Sequence, residues 1–228
     1  MATTQSNLTI DAETRSLNSL VPVGGLKSYQ LEKRDEETGE VAVVSKYKYL
    51  EGHPKQYRFN GQTGRFNLNG ETDLGNKMTI QPVAWRIFEE NLFERGRKEQ
   101  WAEIFFVDDK NCISVVMFNN TSVNVLFGLI EPLFYEELSL SDVMLTISAE
   151  KKENTKITPK GTYYIAKFSY VPADATKVKK VRDFVRDHRI YRADTLTPTA
   201  EYKAVSKGFY NALAYMDSPL IGGESIAA

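Results

Sequence analysis

Apolar and polar positions alternate most cleanly between Val143 and Ser148. There Val143, Leu145 and Ile147 share one face, and Met144, Thr146 and Ser148 share the other. A period of two over this length predicts a half-buried strand. Apolar, aromatic and β-branched runs mark further strands at residues 78–89, 100–107, 112–118 and 163–171, the first containing Pro82, which points to an edge or a bulge. Asp108, Asp109, Lys110 and Asn111 form a tight turn between the second and third of these strands. Between the third and fourth the period changes. Val123, Leu126, Phe127, Ile130, Leu133 and Phe134 follow the three-and-four spacing of one helix over residues 123–138, with cap candidates in Asn119 to Ser122 and a kink expected at Pro132. The predicted order over residues 77–173 is β-β-β-α-β-β, the ground plan of a five-stranded Greek-key barrel.

The flanks read differently. Residues 1–26 are polar and predict a loosely held arm. Within 27–76, two β-prone runs flank the acidic 35–40 turn, and a second short hairpin repeats Arg-Phe-Asn at 58–60 and 65–67 around Gly61 to Gly64. Residues 174–218 predict two helices. The first, 175–191, carries Val178, Val181, Phe184 and Val185 on one stripe. The second starts at Thr197-Pro198 and runs to about 216. A flexible tail is expected over 219–228. The fold class is therefore mainly β with helices: a five-stranded barrel with an N-terminal hairpin extension and C-terminal helices.

Hydrophobic residues at 42% and charged residues at 26% fit a globular domain of ordinary composition, and no run approaches the roughly 18 apolar residues of a membrane span. The first residues lack the basic-then-apolar pattern of a secretory signal. Cys112 is the lone cysteine and excludes an intramolecular disulfide, and only His53 and His188 could join it as soft metal ligands. Neither a cofactor nor a metal is expected, and the reducing cytoplasm is the expected compartment. Glycine-rich phosphate loops and nucleophile elbows are missing from the sequence, so the expectation is a non-catalytic protein.

The net charge of −1 argues against a generally basic binder, but the charges are uneven. Residues 46–65 hold Lys46, Lys48, Lys55, Arg58 and Arg65 against Glu51 alone, interleaved with Tyr47, Tyr49, Tyr57, Phe59 and Phe66. Arg95, Arg97 and Lys98 crowd the connection after the first barrel strand. Lys151, Lys152, Lys156 and Lys160 crowd the connection between the fourth and fifth. Cations hold phosphates and aromatic faces stack bases. Strand parity places Ala102, Ile104 and Phe106 on the core face and leaves Trp101 and Phe105 as the expected exposed pair.

By element order, by the helix after Asn119-Asn120 and by the two basic connections, residues 78–171 resemble a single-stranded DNA-binding protein of the OB-fold kind, phage- or mobile-element-encoded. No diagnostic motif accompanies the resemblance, and the acidic C-terminal tail common among such proteins is reduced here to Glu224. The resemblance implies coating and protection of single-stranded DNA in replication or recombination, with RNA as the other candidate strand. It further implies partners among replication or recombination proteins, self-association, and a host cytoplasm if phage-encoded. The competing expectation is a structural or assembly protein, such as a virion component, using its arm, hairpins and C-terminal helices as subunit contacts.

Overall fold

The computed structural model describes residues 25–155 and 161–215. Among the described residues, twelve strands fall into three sheets. β1 (Gln30–Arg34) and β2 (Val41–Ser45) form the expected ribbon by themselves, its turn fastened by the Asp35 carboxylate, which accepts from the backbone N–H groups of Glu37 and Thr38. A seven-stranded sheet has β3 (Lys55–Asn60), β4 (Arg65–Leu68) and β5 (Thr72–Gly75) on one side. β7 (Pro82–Glu90), β8 (Glu99–Val107), β9 (Ile113–Asn119) and β12 (Glu201–Val205) complete it, in the order β12-β7-β8-β9-β3-β4-β5. The third sheet is β6 (Lys77–Ile80) beside β10 (Val143–Asn154), with β11 (Gly161–Pro172) on the far side of β10.

The chain is mainly β, and the consecutive pairings expected of residues 77–173 are present: β7 with β8, β8 with β9, and β10 with β11, all antiparallel. The expected first strand is two strands. It breaks at Gln81, so that β6 pairs in one sheet and β7 in the other, and the anticipated irregularity at Pro82 is a register shift between Pro82 and Ala84. Proline has no N–H for the ladder, which suits such a corner.

The five strands do not close into a barrel. The free edge of β9 is taken instead by β3, which pairs with it in parallel, Lys55 opposite Ser114 and Arg58 opposite Met117. The Arg-Phe-Asn ribbon is thus part of the main sheet. Its phenyl rings face inward: Phe59 lies 5.1 Å from Phe66 and 6.0 Å from Phe118, and Phe66 is fully buried. At its tip Gly61 accepts a hydrogen bond from Tyr164 N (2.7 Å), and Gly64 (φ 69°) lies under the Tyr164 ring.

Each face of the main sheet carries its own core. On one face Ile87, Ala102, Ile104, Phe106, Val116 and Phe118 meet Leu145, Ile147 and Phe168 of the small sheet, with α1 (Thr121–Phe127) and α2 (Ile130–Tyr135) closing the end. On the other, Val83, Phe105 and Val115 meet α3 (Ala175–Asp187) through Val181, Phe184 and Val185, together with Tyr29, Tyr47 and Phe209. Asp174 caps α3, its carboxylate accepting from Lys177 N.

Three helical expectations are corrected. The helix expected over 123–138 is two short helices that part at Gly128, and Pro132 sits in the first turn of α2, where its missing N–H costs nothing. Asn120, at φ 45°, makes no side-chain cap; Ser122 Oγ instead accepts from Ala166 N of β11. α3 ends at Asp187, and residues 188–192 run on as an extended strap. The second C-terminal helix is absent among the described residues. Its first part is β12, antiparallel to β7, because the inward positions Tyr202 and Ala204 also fit a period of two. Residues 1–24, the loop 156–160 and the tail from 216 lie outside the described residues, as do the expectations placed on them.

Candidate functional site

The outer face of β7, β8, β9, β3 and β4 carries one cross-strand row: Arg86, Glu103, Met117, Arg58 and Asn67, each opposite the next. The C-terminal chain covers half of it. Arg86 Nε donates to Glu103 Oε2 (2.8 Å) with neither side chain exposed. Arg86 Nη2 donates to the carbonyl and hydroxyl oxygens of Thr195 (2.9 and 2.8 Å), and Thr195 Oγ1 donates to Glu103 Oε1 (2.7 Å). Tyr202 OH accepts from Arg86 Nη1 (3.1 Å), and the guanidinium lies 4.0 Å above the Phe88 ring. The other half, from Met117 to Arg58, is uncovered.

That uncovered half is the floor of a groove of about 290 Å³. Arg58 is exposed and has no hydrogen-bond or ion-pair partner among the described residues. Asn119 lies at the end of β9, in register with Trp101. Arg192 borders the covered half, held by Asp194 and Gln56 Oε1 (3.2 Å). The opposite wall is the β7–β8 loop. Phe93 is 54% exposed and stands edge-on to Trp101, ring centroids 5.6 Å apart. Phe93 and Glu94 both have positive φ (57° and 54°), a backbone conformation that bulky side chains rarely adopt. Such strain persists only where the surroundings hold it, and it concentrates at binding sites.

The Arg95 guanidinium lies 5.0 Å from the centre of the Trp101 ring, and its Nη1 donates to Glu99 (2.8 Å). Burial pushes the Glu99 carboxyl up, but hydrogen bonds from Arg97 and Arg95 outweigh it and hold the group below its usual range. Two guanidiniums on one carboxylate leave a positive charge at the groove wall, beside Arg58.

The sequence-predicted residues divide accordingly. Arg58, Arg95 and Trp101 come together, and Arg97 adjoins them through Glu99. Trp101 and Phe105 are not an exposed pair: parity was read correctly, but α3 and the C-terminal chain bury this face as well, leaving Trp101 3% exposed as the groove's back wall. Tyr47 packs on Phe184, and Phe66 is core. Tyr49 OH donates to backbone carbonyls of the strap and accepts from Gly52 N, so it is a structural pin. Lys55 is paired with the buried Asp108 (2.7 Å), which also accepts from Tyr57 OH (3.3 Å), while Tyr57 and Phe59 pack on the first core. Arg65 is paired with Asp73 and Lys98 with Glu201. Lys46 and Lys48 are exposed but lie at the Cys112 end of β9, away from Asn119. Lys151 is exposed opposite Tyr164, and Lys152 pairs with Glu150 (2.6 Å). Lys156 and Lys160 are outside the described residues.

Sequence reasoning missed Phe93, Met117, Asn119 and Arg192. Phe93 left a signal, being with Leu92 one of two large apolar residues in a connection whose other members are polar or glycine. Among the described residues no group of His, Cys, Asp and Glu is arranged to hold a metal, and no helix is long and apolar enough to cross a membrane. Comparison with protein-family models, with curated proteins and with solved structures finds no match for this chain.

Proposed function

We propose that this protein binds single-stranded DNA non-catalytically, with the groove between Arg58 and Phe93 as the centre of the contact, and serves to protect the strand during replication or recombination. The observation that carries the reading is the meeting of an unpaired guanidinium and an exposed, conformationally strained aromatic ring in one groove. Phe93 offers a stacking face for any base, Arg58 and the Arg95–Arg97 pair offer charge to the phosphates, and Asn119 offers an amide to a base edge. The groove lies on the outer face of the second and third barrel strands, beside the loop joining the first and second, where an OB-like barrel holds a strand. On this reading residues 77–173 are an OB-like arrangement that stays open, with β3 paired on the free edge of β9.

Fluorescence anisotropy with labelled oligo-dT at two salt concentrations tests the reading, with oligo-U and duplex as comparison arms. Binding that weakens steeply with salt and falls in both Arg58→Ala and Phe93→Ala supports it. Salt-independent behaviour, or variants that bind as the parent does, would overturn it.

The competing reading, an assembly protein, draws on a separate surface: Ile130, Phe134 and Tyr135 of α2 stand exposed together.

A further inference from the structure

α2 presents an apolar knob that shares no residue with the groove. Phe134 is 74% and Tyr135 76% exposed, their rings 5.6 Å apart, with Ile130 beside them. The knob is ringed by acids, of which Glu131 and Glu137 have no ion-pair partner among the described residues. Immediately next to it opens a crevice of about 1140 Å³ between the end of α3, the turn after β12 and the loop that leaves α2. Its lining includes the apolar Val83, Trp85, Val205 and Phe209, and its cations Arg182, Arg186, Arg189 and Lys207 outnumber the acids Glu137, Asp142 and Asp187. Of these cations Lys207 has no ion-pair partner among the described residues, and Arg189 reaches Glu51 only at 3.9 Å.

A protruding aromatic pair with an acidic surround thus borders a partly apolar hollow with an excess of cations. Glu137, two residues after Tyr135, also lines the crevice. We infer that each is the other's complement in a second copy of this chain, and that two copies pair about a two-fold axis. Because knob and crevice share a border, one rotation seats both knobs at once, which is the self-complementary arrangement of a closed dimer. A knob and crevice at opposite ends of the molecule would have built an open filament instead. Phe134 and Tyr135 are the anchors. The rim pairs, Glu131 and Glu137 against Lys207 and Arg189, set orientation more than strength.

Sedimentation velocity of the full chain, without nucleic acid, tests the pairing, so the outcome is independent of the strand-binding reading. The expected result is a concentration-dependent dimer whose dissociation constant rises about a hundredfold in the Phe134→Ala/Tyr135→Ala variant, the sum of two modest hot spots. Both residues are exposed, and an unchanged circular dichroism spectrum controls for folding. Glu137→Lys should weaken the dimer, and adding Lys207→Glu should recover part of the loss. Carbodiimide cross-linking in an equal mixture of isotope-labelled and unlabelled chains should join Lys207 of one copy to Glu131 or Glu137 of the other. A wild-type chain that stays monomeric up to on the order of 100 µM would overturn the inference. So would a double variant that dimerises as the parent does, or links from Lys207 only to acids of its own residues 216–228.

Discussion

Arg86 and Glu103 face each other across β7 and β8 at 2.8 Å, and neither side chain reaches solvent. This ion pair is the point at which the C-terminal chain is fastened to the sheet, because Thr195 hydrogen-bonds both members. Its isolated partners cannot survive burial. Arg86→Met should destabilise the fold by about 3–5 kcal/mol by stranding Glu103, whereas Arg86→Met combined with Glu103→Leu should cost clearly less. Urea denaturation of both variants measures the difference.

Arg58 sits in the same cross-strand row but beyond the cover. Because it has no partner among the described residues, Arg58→Ala should leave the urea midpoint within about 0.5 kcal/mol of the parent. It should lower the slope of log affinity against log salt for oligo-dT by about 1.

Phe93→Ala should act on the other half of the contact. Loss of a stacking face should weaken oligo-dT binding by about 1–3 kcal/mol with little change in the salt slope. Phe93→Gly, which relieves the positive φ, should raise stability relative to Phe93→Ala while binding equally poorly. Isothermal titration and thermal melts separate these effects.

Gly64 has a backbone conformation that favours glycine, and a Cβ there would approach within 2.5 Å of the Tyr164 ring. Gly64→Ala should therefore lift the β3–β4 tip from β11 and cost about 1–3 kcal/mol. Gly64→Ala together with Tyr164→Ala should recover only the steric part. Hydrogen exchange at the Tyr164 amide, which donates to Gly61, reports the lifting directly.

Asp108, Glu90 and Glu99 should set the acid limit of the fold. Burial raises all three carboxyls, but Lys55 and backbone N–H groups at Asp108, the Thr197 and Thr199 hydroxyls at Glu90, and Arg97 and Arg95 at Glu99 hold each below its usual range. A depressed folded-state pKa contributes stability that is complete above the ordinary carboxylate value near pH 4 and is lost as pH falls through the lowered one. Denaturation midpoints should fall steeply below about pH 4, and Asp108→Asn should flatten that fall.

What the sequence revealed was set by distance along the chain. The strands from β7 to β11 follow from apolar and β-branched runs, with alternation at β10, and the parity of β8 from its own residues, all of them local properties. The cover over Trp101, Glu103 and Phe105 is not local. Thr195, Tyr202 and Phe184 arrive some 80 to 100 residues later, so a face that reads as open is closed. Arg86 shows the same limit, since a lone arginine in an amphipathic strand reads as solvated until its partner is placed. Tyr202, Val205 and Phe209 satisfy helical spacing as well as an interrupted strand, and pairing with β7 decides for the strand. Arg58, Arg95 and Trp101 were recognisable as chemistry. Their convergence was not, because it depends on β3 pairing with β9.

That parallel pairing also bears on how the chain is made. β3 leaves the ribosome about fifty residues ahead of β9, roughly 3 to 10 s at ordinary rates of synthesis. Throughout that interval Phe59 and Phe66 have no sheet to enter, and the ribbon that bears them has an unpaired edge. The nascent β3–β4 ribbon is therefore a natural client for a holding chaperone, and it becomes committed to its fold only when residues 113–119 emerge.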